Sequence, residues 1–220
     1  MKDMGLWSQL IYYFTHNGMF VLQQFNLTFL VSIYGVLFGA IVGIPIGIWI
    51  SQNRKLSPVI IGIANVIQTI PSLAMLSILM LGLGLGENTV IATVFLYSLL
   101  PIIKNTYTGM LSVDLDVLDA GKGMGMTRFQ IMAKIRIPLS LSVIIAGIRN
   151  ALVLGIGIAV IGSFIGSGGL GDIIIRGTNA TDGGAIILAG ALPTALMAII
   201  TDWILSLIEK WLKPKTASES

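Results

Sequence analysis

Five apolar stretches divide the 220-residue chain, separated by polar, basic or glycine-rich breaks. They cover Leu27–Ile50, Val59–Leu81, Thr89–Ile103, Ile137–Ile165 and Ala185–Ile208. About 20 helical residues cross a bilayer core of ~30 Å, so each run predicts a spanning helix. The third reaches that length only if it starts before Thr89 or continues through Tyr107. The expected fold class is an all-α membrane protein of about five transmembrane helices. Ahead of the first run, Leu6, Trp7, Leu10, Ile11 and Phe14 share one face at helical spacing. That suits a helix lying in the membrane interface, with a mobile N-terminus as the alternative. The same opening is too short and too polar at Ser8 and Gln9 to read as a signal peptide. Residues 1–20 are thus expected as an interfacial segment, 21–210 as one transmembrane domain and 211–220 as a tail.

Composition agrees: 55% of residues are hydrophobic and 10% charged, against about 25% charged in soluble domains. With no cysteine, disulfides and thiolate metal sites are excluded. Charge sets the orientation. Arg54, Lys55, Lys104, Lys122, Arg128, Lys134, Arg136, Lys210, Lys213 and Lys215 fall on one side of the predicted spans, and only Lys2 and Arg176 on the other. The positive-inside rule then puts the N-terminus outside and the C-terminus in the cytoplasm. Among 26 glycines, Gly35, Gly39, Gly43 and Gly47 recur every four residues. Such a ridge lets helix backbones approach closely, either within one bundle or between two copies.

One inner segment stands apart. Residues 114–136 are basic yet carry Leu115, Leu118, Met124, Phe129 and Ile135. That density suits a short helix docking on another protein, or a basic loop on anionic headgroups. Within it, Asp119-Ala120-Gly121, three residues, Gly125, nine residues, then Ile135-x-Ile137-Pro138 resembles the EAA motif of ABC importer permeases. Asp119 stands where that motif has Glu, Gly121 where it has the second Ala, and Ile137 where it has Leu. NVIQTIPSLAML (65–76), YSLLPIIKNTYTGM (97–110), AGIRNALV (146–153) and FIGSGGLGDIIIRGTNAT (164–181) are similar to permeases of osmoprotectant importers. The resemblance implies a type I importer permease fold in a prokaryotic plasma membrane, moving glycine betaine, carnitine, choline or related solutes. It also implies that Asp119, Ala120, Gly121, Gly125, Ile135, Ile137 and Pro138 couple the chain to a partner ATPase. The implied partners are two ATP-binding subunits holding ATP and Mg, a second permease subunit and an extracytoplasmic binding protein; membrane lipid is an expected partner as well, nucleic acid is not. No cofactor or metal is expected in this chain, which lacks a GxxxxGK[ST] loop.

Ionisable and polar residues inside spans are costly and so informative. Arg149 and Asp202 lie at similar depth in the fourth and fifth runs, and either pair or separate towards the inner headgroups. Asn65, Gln68, Thr69 and Ser72 recur on one helical face, kinked by Pro71, and line a path or bond neighbouring helices. Tyr34, Phe95 and Tyr97 offer aromatic faces for a methylated cation; Tyr97 joins the candidate path. The glycine-rich stretch 163–184 either folds back over the outer mouth or is a flexible connection. Catalysis is not expected: the single His16 and the Gly166-Ser167-Gly168 run make no credible dyad, and no zinc helix occurs. An ion-coupled transporter would rely on Asp202 alone.

Overall fold

The computed structural model describes residues 5–213. The tail after Lys213, with Lys215, and Lys2 of the charge count lie outside the described residues. The first helix, α1 (Leu6–Gln52), runs 47 residues and departs from helical geometry at Asn17. The opening segment is therefore the start of α1 rather than a separate body. Its apolar face is shared between two environments. Leu10, Tyr13 and Phe14 pack against Leu170, Ile173, Ala185 and Ala189, while Trp7 and Ile11 stay exposed.

The second run is broken, not merely kinked. It forms α2 (Ser57–Thr69) and α3 (Ser72–Leu83), bent by 95°. Proline clashes with a helical conformation in the residue before it, and Ile70 accordingly turns extended (ψ 128°) ahead of Pro71 (ψ 137°). At 1.5 Å per residue the two arms measure about 20 and 18 Å. Set at a right angle they still reach about 27 Å, close to a hydrocarbon core.

The third run lengthens at both ends into α4 (Glu87–Leu111). After it come α5 (Leu115–Gly123) and α6 (Arg128–Ile131), then a π-turn at Met132–Arg136 leading into α7 (Ile137–Ile161). A 3₁₀ turn, Gly162–Ile165, and α8 (Leu170–Thr178) precede the last helix, α9 (Gly184–Leu212).

Two hydrogen bonds show that the broken pair crosses the bundle. Ser57 Oγ donates to Tyr107 Oη at 3.2 Å, placing the start of α2 beside the end of α4. Gly86 N donates to Ile165 O at 3.1 Å, placing the start of α4 beside the end of α7. The chain between Gln52 and Gly86 must therefore pass from one end to the other. Among the described residues, four long apolar helices and this bent pair give five crossings. Nearly all the described cations gather at the end that carries α5, hereafter the basic end.

Close backbone approach organises the core. A Cβ on Gly35, Gly39, Gly43 or Gly47 would meet Val94, Ser98, Ile102 or Thr106 of α4 at 3.0 Å or less. The glycine ridge thus seats α4 inside the chain, and the alternative of a ridge between two copies is not what this face does. Stretch 163–184 is likewise packed. Leu170 and Ile173 are fully buried. Two α1 side chains cap the start of α8: Gln24 Oε1 accepts from Gly169 N at 2.7 Å and Thr28 Oγ1 from Leu170 N at 2.8 Å. A flexible connection would make neither contact.

Candidate functional site

The segment at the basic end is a built platform. Asp114 caps α5 by accepting from Asp116 N at 2.9 Å. Its other end is closed by a left-handed Gly125 (φ 78°). Met126 N donates to Gly121 O and Gly125 N to Lys122 O, the paired bonds of a Schellman stop. Thr127 and Gln130 then open α6 with a reciprocal capping box. Leu118, Ile131 and Val113, with Met126, Ile135 and Leu139, form a small core beneath. Ile135 Cδ1 lies 2.7 Å from where a Cβ on Gly121 would sit, so the small residue at 121 admits it.

Pro138 explains the π-turn. It has no N–H for Lys134 O and its ring crowds that carbonyl; the turn widens, and Ile137 N reaches back to Met132 O instead. Through this turn the platform is covalently and geometrically continuous with α7. Asp119 and Ala120 face outward, Asp119 bonded to Lys122 Nζ at 2.7 Å. Leu115, Met124 and Phe129 are exposed by 70%, 74% and 80%, an apolar surface that no described residue covers.

At the bend, two prolines create two orphan carbonyls, and one pair of residues satisfies both. Pro71 ends α2 and frees Ile70 O, which accepts from Tyr97 Oη. Pro101 within α4 cannot donate to Tyr97 O, which accepts from Gln68 Nε2 at 3.4 Å. Tyr97 is buried, its hydroxyl used to hold the bend. The break also divides the expected stripe: Asn65, Gln68 and Thr69 lie on α2 and Ser72 on α3, so the four do not share one helical face. Thr69 Oγ1 turns back to Val66 O at 2.7 Å, and Asn65 is exposed.

Arg149 lies between two carboxylates of α9. Its Nε is 3.7 Å from Asp202 Oδ1 and its Nη2 3.5 Å from Glu209 Oε2. The apolar pattern does not mark Glu209, although it follows Asp202 by seven residues, two turns along the same helical face. Its position close to the end of the apolar run hid it.

These features meet in one known architecture. A family model for the binding-protein-dependent transport system inner membrane component matches residues 35–214. The chain belongs to that family. This permease is 59% identical over 211 residues to the glycine betaine/carnitine/choline transport system permease protein OpuCD of Bacillus subtilis (strain 168), covering 96% of this chain and 92% of that one. It is also 59% identical over 206 residues to the carnitine transport permease protein OpuCD of Listeria monocytogenes serotype 1/2a (strain 10403S), covering 94% and 92%. Among solved structures, the permease fold matches the inward-facing MetNI methionine ABC transporter with a TM-score of 0.78 at 18% identity, over 88% of this chain and 96% of that one. The fold is that of a type I ABC importer permease in a membrane.

Proposed function

We propose that the chain is a permease subunit of an ATP-driven importer for small quaternary ammonium solutes. Two such chains, identical or homologous, enclose one pore. Two ATP-binding subunits, which hold ATP and Mg, grip the platform at the basic end, and an extracytoplasmic binding protein delivers solute at the other. The chain itself carries no cofactor and hydrolyses nothing. The carrying observation is the platform: an exposed apolar knob on a doubly capped support, continuous with a spanning helix through the π-turn. A force applied to Leu115, Met124 or Phe129 would move α7 with little loss, because Gly121 and Ile135 interlock. The solute class rests on the relatives, whose named cargoes share a trimethylammonium head. Tyr97 is occupied at the bend, and among the described residues the ring–ring contact is Tyr12 with His16. Selection of the solute is assigned to the binding protein.

The test is transport by the complete importer in proteoliposomes. Labelled glycine betaine, carnitine or choline should accumulate with internal ATP and binding protein, and not under an ion gradient alone. Gly125→Asp should abolish that uptake and leave insertion intact. A Cβ at 125 meets no described residue, and aspartate tolerates the left-handed region at a cost of roughly 1–2 kcal/mol. What it disturbs is the partner's face. ATP-driven uptake at the parental rate would overturn the coupling role.

A further inference from the structure

The basic end holds a concavity of about 850 Å³ that the transport reading does not use. It opens between the α1–α2 turn and the α5–α6 platform, and Arg54, Lys55, Lys122, Arg128 and Arg136 line it with no carboxylate among its walls. Lys122 is paired with Asp119. The other four cations have no ion pair or side-chain hydrogen bond among the described residues, and Arg136 Nε is buried without a partner. Like charges converging on one hollow repel, and beyond the Lys122–Asp119 pair no described residue offsets them. An oxyanion with several acceptor oxygens would, most effectively through the arginine forks.

The rim says how that oxyanion is presented. Leu56, itself in the lining, is 40% exposed, and Trp49 and Val59, one turn away on α1 and α2, are 50% and 59% exposed. An exposed tryptophan between an apolar run and a cationic hollow marks the headgroup level of a bilayer. We propose that this concavity binds the phosphate of an anionic phospholipid from the leaflet at the basic end, its acyl chains lying along Trp49, Leu56 and Val59. Phosphate charge is the recognised chemistry; the apolar rim makes a lipid its source.

The experiment is native mass spectrometry of the full chain released from detergent, titrated separately with phosphatidylglycerol, phosphatidylcholine and inorganic phosphate. Phosphatidylglycerol should be retained and phosphatidylcholine not. In Arg54→Gln/Arg128→Gln, affinity for phosphatidylglycerol should fall roughly 30-fold, at about fivefold per cation removed. Both side chains are exposed, so elution on size exclusion should match the parent. Lys210→Gln, basic but outside the concavity, should retain the lipid. Equal retention in the double variant would overturn the site. Binding of inorganic phosphate at the strength of phosphatidylglycerol would overturn the lipid as its source. Stoichiometric displacement of the lipid by added ATP-binding subunits would also overturn the proposal, making the hollow a protein contact.

Discussion

Arg149 illustrates how one residue can be costly and still retained. A cation in a spanning helix is expensive, at roughly 2.5–3.5 kcal/mol near the centre on insertion scales. Its contacts to Asp202 and Glu209, at 3.7 and 3.5 Å, are ionic but too long for good hydrogen bonds. Arg149 Nε and Glu209 Oε2 are both buried without a hydrogen-bond partner. Such a cluster contributes little net stability, yet losing one member strands the others. Arg149→Met should therefore destabilise the chain by about 1–3 kcal/mol, with the half-exposed Asp202 softening the loss. Adding Asp202→Asn and Glu209→Gln should recover most of it. Thermal unfolding of the single and triple variants in detergent decides: a triple variant no more stable than Arg149→Met would show that charge is not what these residues share.

At the scale of elements, three of the prolines mark places where the regular helical bonding is interrupted. Pro71, Pro101 and Pro138 each remove a donor, and the three sites are repaired in two ways. The first two share Tyr97 and Gln68; the third widens into a π-turn. Unsatisfied backbone within a bilayer costs several kcal/mol, so the repair at the bend governs its geometry. Tyr97→Phe leaves Ile70 O without its donor while keeping the ring. It should lower stability by about 1–3 kcal/mol and slow ATP-driven uptake, with expression and insertion unchanged. A stability equal to the parent would mean that another group serves that carbonyl. The apolar runs made α1, α4, α7 and α9 legible from sequence, because hydrocarbon length allows little else. The motif spacing marked the platform from Asp119 to Pro138. Periodicity counted straight through Pro71, however, and so joined Ser72 to a stripe that the break divides. The packing of α8 was not legible either: nine residues near glycines do not reveal that Gln24 and Thr28, about 140 positions earlier, cap their backbone.

For the whole molecule, five crossings fix a relation that no single helix carries: the start of α1 and the end of α9 lie at opposite ends. Leu6 sits beside Gly184, at the start of α9, whereas Arg54 and the platform share the concavity at the other end. The cations of the basic end then give the bundle its direction, since short basic loops resist translocation. The absence of cysteine makes this directly measurable. Ser112, after α4, and Thr181, between α8 and α9, are both exposed and close in size to cysteine. In intact cells, a membrane-impermeant maleimide should modify Thr181→Cys and spare Ser112→Cys. In inside-out vesicles stripped of peripheral subunits the pattern should reverse, because Ser112 would then face the reagent. Full ATP-driven uptake by both unlabelled variants would show that neither substitution moved a helix. Modification of Ser112→Cys in intact cells would invert the bundle, and with it the assignment of the platform to the side where ATP is available.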